Sequence, residues 1–174
     1  MRNVTIKVYT YEELSAKAKE KACQWWEEGD YDWWWDSVYE DADAIGIKIM
    51  SFDAGQGNSI KGEILNIADC ANRIIKSHGE WYETYKLAFT FKNDFGRIVD
   101  EQEADYETTG CGRDFDVELE ELESEFKRAI LEEYLSILRK EFEFRKSREY
   151  VEDALRVNEY EFTEDGKRFT GDNR

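Results

Sequence analysis

Residues 116–150, DVELEELESEFKRAILEEYLSILRKEFEFRKSREY, decide the fold of this chain. The stretch contains neither Gly nor Pro, and its apolar residues recur every three or four positions. Those residues are Leu119, Leu122, Phe126, Ile130, Tyr134, Ile137, Leu138 and Phe142. An apolar stripe with this period predicts a long amphipathic helix that buries one side. Near Ser147 this helix either breaks or continues into residues 151–157.

The rest of the chain mixes strand and helix patterns. Strands are predicted where apolar and polar residues alternate, at 3–9, 47–52, 60–65 and 159–163. Helices are predicted at helical spacing of apolar residues, from the capping box at Thr10–Glu13 to about Glu28, and at 31–45, 67–77 and 81–95. Gly29 would end the first of these helices and Asp30 would cap the second. The expected fold class is α+β, a small antiparallel sheet packed with several helices.

Length and composition bound the class of protein. A chain of 174 residues predicts a single domain over 1–174 with room for a sizeable core. Aromatic residues make up 15% of the chain, whereas a disordered acidic chain would lack them. The N terminus has no apolar signal core, and no run of about 18 apolar residues occurs. These patterns favour a cytoplasmic protein with no membrane partner.

The negative charge is concentrated in two tracts of the chain, whose formal net charge is −17. Residues 27–44, the N-terminal tract, carry −8, with no basic residue. Residues 94–125, the central tract, carry −11, with thirteen acidic residues against two arginines, so the remaining residues sum to +2. Charge concentrated in this way repels nucleic acid and attracts basic protein surfaces. We therefore expect a basic protein partner and no direct contact with nucleic acid.

The central tract approaches the charge density of a nucleic acid. Its five glutamates in the first turns of the long helix extend over roughly 12 Å, or one charge per ~2.4 Å. Duplex DNA carries one charge per ~1.7 Å of axis. The helix macrodipole and the helix propensity of Glu also explain acidic residues at the start of a helix. The acidic residues at 100–107, however, fall in a region predicted to be weakly structured, where helix propensity gives no explanation.

The predicted partner-binding residues come from both tracts. From the central tract they are Asp114, Asp116, Glu118, Glu120, Glu121, Glu123 and Glu125. From the N-terminal tract they are Asp30, Asp32, Asp36, Glu40, Asp41, Asp43 and Trp33. Trp33, Trp34 and Trp35 span about 200° of a helix, so at least one should be partly exposed, as Trp often is at binding hot spots. Trp25 and Trp34 are the expected anchors of the core.

The sequence offers little for catalysis. His78, the only histidine, precedes Gly79 at a predicted helix end, where interaction with the helix dipole is the simpler role. The three cysteines, at 23, 70 and 111, have the spacing of neither a zinc site nor a redox pair. Asp36 and Glu40 could together hold a divalent cation, but no EF-hand pattern accompanies them. No catalytic residue, metal or cofactor is predicted, and the chain is not expected to be an enzyme.

Several segments resemble a family of acidic proteins from phages and prophages. The segments are YEEL (11–14), KAKEKA (17–22), WWEEG (25–29), WDSVYEDA (35–42), IGI (45–47) and NEYEFTEDGKRF (158–169). Some proteins of that family are labelled antitoxins. The resemblance implies a mobile-element accessory protein in a bacterial cytoplasm. Small acidic phage proteins are often similar to anti-restriction or anti-CRISPR inhibitors, which mimic DNA or block the groove that binds it.

Three functional hypotheses remain open at this point. The first is a phage-encoded, non-enzymatic inhibitor that mimics nucleic acid and blocks the basic groove of a host CRISPR effector or restriction enzyme. The second is an antitoxin-like protein that neutralises a basic toxin, for which the charge pattern would be the same. The third is a metal- or thiol-dependent enzyme, which stabilisation by a divalent cation would favour.

Overall fold

The computed structural model describes residues 5–29, 34–55, 57–110 and 115–171. Along them lie β1 (Tyr9–Thr10), a 3-10 turn (Tyr11–Glu13), α1 (Ala16–Glu27), α2 (Asp36–Ala44), β2 (Ile47–Asp53), β3 (Ser59–Ile64), α3 (Ile67–Ser77), α4 (Glu83–Thr109), α5 (Asp116–Arg145), α6 (Arg148–Val157) and β4 (Glu161–Phe162). The fold is α+β, as predicted. In the described chain the strands pair antiparallel as β1 with β4 and β2 with β3, so the predicted small sheet is two separate two-stranded sheets.

The chain divides into two compact units. Unit 1 contains residues 1–33 and 140–174, and unit 2 contains residues 34–139, so α5 contributes residues to both. Organisation of the whole chain as one domain remains a prediction.

The core of unit 1 lies between α1, α6 and the β1–β4 pair. Its buried side chains are Tyr11, Leu14, Ala18, Ala22, Cys23, Val151, Leu155 and Phe162. Beyond β4, the chain turns back through Gly166, which has φ +83° and packs so closely that a Cβ there would lie 2.2 Å from the carbonyl oxygen of Ala18. Only glycine fits this contact without strain, so the tail is seated directly on α1.

The core of unit 2 lies between the β2–β3 hairpin and the helices α2 to α5. Its buried side chains are Ala42, Ile45, Ile47, Ile49, Cys70, Ala71, Ile74, Ala88, Phe91, Phe126, Ile130, Leu131 and Tyr134. The hairpin and α3 are confirmed, and α3 has the predicted bounds. Of the two alternatives left open near Ser147, the structure has the break. Ser147 is the N-cap of α6, where its hydroxyl accepts a hydrogen bond of 3.3 Å from the Tyr150 amide.

The predicted strand at 3–9 is wrong over the part that the structure describes. Residues 5–8 are not in a strand, and β1 contains only Tyr9 and Thr10. Its partner β4 is two residues long, so the ladder has only two pairs, and Ile6 is left 48% exposed. Residues 3 and 4 lie outside the described chain. Alternation in the sequence could not reveal how short the partner strand would be.

The first two helices begin later than predicted. The Glu13 carboxylate does reach back, to the Thr10 amide at 2.8 Å and the Thr10 hydroxyl at 3.1 Å, but this capping box opens only the 3-10 turn. The α-helix α1 starts at Ala16, where the Ser15 hydroxyl accepts a 3.3 Å hydrogen bond from the amide of Ala18. α2 starts at Asp36, and its predicted cap, Asp30, lies outside the described residues.

The largest correction concerns α4. It was predicted to end at Phe95 and instead continues to Thr109, so residues 96–107 are helical and not weakly structured. Gly96 does not interrupt the helix, because a single interior glycine costs only about 1 kcal/mol. The helix ends at Gly110, which has φ +65° and provides the left-handed cap. Helix propensity therefore also accounts for acidic residues in this part of the central tract.

Candidate protein-binding surface

Two helices of unit 2, α4 and α5, carry most of the central tract and pack against each other. The rings of Phe91 and Phe126 lie 4.7 Å apart, and Ile98 and Phe115 are each only 4% exposed. Further along α4 than Phe91, the pKa of Arg97 is raised, first by its hydrogen bond to Glu101 and also by the carboxylates of Asp94 and Glu118. Phe91 of α4 lies against Phe126 of α5, and Arg97, later in α4, lies near Glu118, earlier in α5. The two helices therefore run antiparallel.

A groove of about 240 Å³ follows one side of this helix pair, and we call it the acidic groove. The side chains on its floor are mainly apolar: Leu87, Phe91, Leu122, Phe126 and Ala129. Its rim carries Glu83, Lys86, Thr90 and Asp94 from α4 and Glu125 from α5. Lys86 pairs with Glu83 at 3.0 Å. Both helices thus place a carboxylate beside an apolar floor.

The five glutamates of α5 do not form a single track. At about 100° per residue, Glu118 and Glu121 lie on the same side of α5 as Glu125, which lines the groove. Glu120 and Glu123, together with Asp116, lie roughly 150° away on the other side of the buried stripe. The groove-side row therefore places three charges over about 10 Å, or one per ~5 Å, against one per ~3.4 Å along a single DNA strand.

The carboxylates of this surface differ in how they are paired. Arg97 contacts Glu101 at 2.9 Å and Asp94 at 4.0 Å. Within the part of the chain that the structure describes, Glu121, Glu123 and Glu125 take part in no ion pair. Asp114, predicted to belong to the same surface, lies outside the described residues.

The carboxylates of the N-terminal tract, like those of α5, lie on different sides of their helix. Asp36, Glu40 and Asp43 are exposed on one side of α2. Asp41 faces elsewhere and accepts a 2.6 Å hydrogen bond from the hydroxyl of the fully buried Tyr134. Burial, and next this hydrogen bond, raise the pKa of Tyr134 far above its usual value. Asp41 is therefore a structural residue of unit 2, and the predicted Asp30, Asp32 and Trp33 fall outside the described residues.

Sequence reasoning missed the surroundings of His78. Its Nδ1 lies 2.6 Å from the Thr84 hydroxyl, and its Nε2 lies 3.6 Å from Asp41 Oδ1. Together with Tyr134, these residues link α2, the end of α3, α4 and α5. Thr84 is only 4% exposed, so its hydroxyl is closed to a substrate in this arrangement. No local spacing signals this network, because Asp41 and Tyr134 are 93 residues apart.

Trp34, Trp35, Cys23 and Cys70 are half-buried or buried. Trp34 and Trp35 are half-buried edge-on against Phe52, at 5.7 and 5.8 Å between ring centroids. Cys23 and Cys70 are buried free thiols, and burial raises the pKa of Cys70 to about 11, so it stays protonated at neutral pH. Cys111 lies outside the described residues.

The described residues provide neither a metal-binding cluster nor a membrane-spanning helix. No group of three or more His, Cys, Asp and Glu side chains suited to a metal ion occurs among residues 5–29, 34–55, 57–110 and 115–171. Every helix in those ranges is too short or too polar to cross a lipid bilayer.

Comparison with known proteins finds no family, no curated protein and no solved structure similar to this chain. The resemblance to acidic phage proteins therefore stays a prediction.

Proposed function

We propose that this chain is a phage-encoded, non-enzymatic inhibitor that binds the cationic groove of a host defence nuclease, such as a CRISPR effector or a restriction enzyme, and excludes DNA or RNA from it. One observation carries the proposal: two antiparallel helices of unit 2 line a single groove, and each places carboxylates on its rim, Glu83 and Asp94 from α4 and Glu125 from α5. A helix pair with an acidic rim presents charge in two roughly parallel rows, as the two strands of a nucleic acid do.

The charge balance of unit 2 supports this function. Residues 34–139 contain 24 acidic and 11 basic residues, a net charge of −13. Such a field accelerates encounters with a cationic surface and keeps nucleic acid away. Holding so many like charges together lowers the stability of the folded unit. A partner that neutralises them would remove this cost.

The shape of the acidic groove matches the side chains that a nucleic-acid-binding cleft provides. Lys and Arg lay their aliphatic stems on apolar surface while the charged head stays beside polar groups. In the groove, Leu122 and Phe126 would contact such a stem, and Glu125 and Asp94 would meet the head. The same basic side chains of a nuclease otherwise contact phosphates.

A cleavage assay with charge variants tests the proposal. The groove variant, Glu118→Gln/Glu121→Gln/Glu125→Gln, removes one acidic row. A matched control, Glu20→Gln/Glu149→Gln/Glu164→Gln, removes three exposed charges from unit 1. Against a panel of CRISPR effectors and restriction enzymes, we expect the wild type and the control to inhibit at least one nuclease. The groove variant should need an at least tenfold higher concentration, as loss of several charge contacts predicts.

Salt dependence provides the second readout. Inhibition should weaken steeply between about 50 and 200 mM NaCl, because it replaces a salt-sensitive phosphate interaction. Thermal unfolding of each variant shows that the fold is kept. The proposal fails if the folded groove variant inhibits as well as the wild type, or if the wild type inhibits no member of the panel.

A further inference from the structure

We propose that the outer face of α4 is a second docking surface, and that it binds an extended, arginine-rich segment of a partner protein. This face lies on a different side of α4 from the acidic groove, at roughly 130° around the helix. It goes beyond the proposed function, because its partner is an extended segment and not a folded cleft, and because it would exist whether or not the chain inhibits a nuclease.

The first half of this face is aromatic. Tyr82 and Phe89 are 60% and 50% exposed, and Trp81, just before the helix, is 81% exposed. The rings of Tyr85 and Phe89 stack nearly parallel, at 9° and 6.1 Å between centroids. Large aromatic side chains contribute most of their stabilisation when buried, so several on one exposed helix face mark a contact surface.

The second half of the same face is acidic. Asp100, Glu103 and Glu107 each follow one of the aromatic residues Tyr82, Tyr85 and Phe89 by 18 residues. Eighteen residues are five turns of an α-helix, so the two sets of side chains lie in line. All three carboxylates are exposed, and none belongs to an ion pair within the described chain.

Gly96 keeps the face open between the two halves. A Cβ at this position would meet nothing within 4 Å, so packing does not require a glycine there. Glycine is nevertheless one of the worst residues for a helix interior. It lines a shallow depression of about 490 Å³ together with Asn93 and Asp100, and with Lys92 and Arg97, whose side chains are held by Asn72 and Glu101. The strip is therefore continuous from the aromatic rings to the carboxylates.

Arginine is the side chain that fits both halves. A guanidinium stacks flat on aromatic rings and pairs with a carboxylate through two hydrogen bonds, whereas the compact, strongly hydrated ammonium of lysine does both less well. From Tyr82 to Glu107 the strip measures about 37 Å. An extended segment of roughly 11 residues spans that length.

Two synthetic peptides of 12 residues test the proposal. One alternates Arg with Ser, and the other has Lys in place of every Arg, so their charge is equal. Calorimetric titration of the full chain should give an affinity about tenfold higher for the arginine peptide. The aromatic variant, Trp81→Ala/Phe89→Ala, should lower that affinity to the level of the lysine peptide and leave lysine-peptide binding unchanged.

Two charge variants locate the site. Asp100→Asn/Glu103→Gln/Glu107→Gln should weaken both peptides by a similar factor of about ten or more. The unit 1 control, Glu20→Gln/Glu149→Gln/Glu164→Gln, should bind like the wild type. Circular dichroism confirms that each variant is folded before it is titrated.

Three results would overturn the docking surface. Equal binding of both peptides by the wild type, or an Arg-to-Lys ratio that the aromatic variant leaves intact, removes the role of the aromatic residues. A larger loss in Glu118→Gln/Glu121→Gln/Glu125→Gln than in the α4 variant assigns peptide binding to the acidic groove. A concentration-dependent dimer that the aromatic variant abolishes means that a second copy covers the face. None of these results bears on nuclease inhibition, which the groove variant tests separately.

Discussion

Units 1 and 2 use the same charged residues in opposite ways. Unit 1 contains 17 acidic and 13 basic residues, a net charge of −4, whereas unit 2 contains 24 and 11, a net charge of −13. In unit 1 the acidic and basic residues nearly balance in number, and Glu12, Glu141, Glu152 and Asp165 form ion pairs with nearby bases. In the central tract of unit 2, acidic residues outnumber bases by thirteen to two. The contrast suggests that unit 1 satisfies its charges internally and that unit 2 presents them.

Four of the ion pairs described in unit 1 form a connected set. Arg156 contacts Glu12, and its Nη2 lies 3.1 Å from Glu152, which also pairs with Arg148 at 2.5 Å. Glu12 reaches Lys19 at 3.4 Å as well. These residues join the 3-10 turn, α1 and α6 around the core of unit 1. Individual exposed pairs contribute little, but a network loses less side-chain entropy per contact.

The largest expected effect comes from Gly166→Ala in unit 1. The new Cβ would collide with the Ala18 carbonyl oxygen and sit at a positive φ, so the tail must leave α1. We expect a loss of roughly 3 kcal/mol in the free energy of unfolding, measured in urea. Gly171→Ala, where a Cβ meets nothing within 4 Å, is the matched control and should be neutral within about 0.5 kcal/mol. Similar values for both variants would mean that unit 1 does not depend on the seated tail.

Local patterns predicted the elements whose signal lies within a few residues. The period of the apolar residues gave the long helix from Asp116, and alternation around the Gly55–Gly57 turn gave the hairpin. The extension of α4 through Gly96 was missed, because one interior glycine weakens a helix without ending it. Contacts between residues distant in sequence decided that α4 extends past Gly96. In the same way, the short length of β4 decided that its partner β1 is only two residues long.

The sequence predicted which acidic residues belong to the candidate site but not how the helices arrange them. Counting charges located the central tract, and helical periodicity could already have separated Glu118, Glu121 and Glu125 from Glu120 and Glu123. What the sequence could not provide is which side of α5 meets α4. Nor could the sequence show that Asp41 lies beside Tyr134 and His78. The hydrogen bond between Tyr134 and Asp41 joins residues 93 positions apart.

An intermediate effect of opposite sign is expected for Gly96→Ala in α4. The added methyl group enters open space, and alanine is the better helix former, so unfolding should cost about 1 kcal/mol more. Gly110→Ala, at the left-handed end of the same helix, should instead destabilise it. Urea denaturation of both variants checks the signs. A loss of stability in Gly96→Ala would mean that something covers the outer face of α4 in the folded chain.

The smallest expected effect is the change in melting temperature on replacing one carboxylate from each unit. The pKa of Glu12 is lowered, first by its hydrogen bond with Arg156 and then by that with Lys19. A lowered pKa in the folded state adds stability above the unfolded value, near 4.5, and this stability is lost as the pH falls through the folded value. Glu12→Gln should therefore melt slightly below the wild type from about pH 5.5 to 8, and the difference should vanish at lower pH. Glu121→Gln relieves repulsion and should melt slightly higher at neutral pH. If both substitutions shift the melting temperature in the same direction at pH 7, the division into a self-neutralised unit and a presenting unit is wrong.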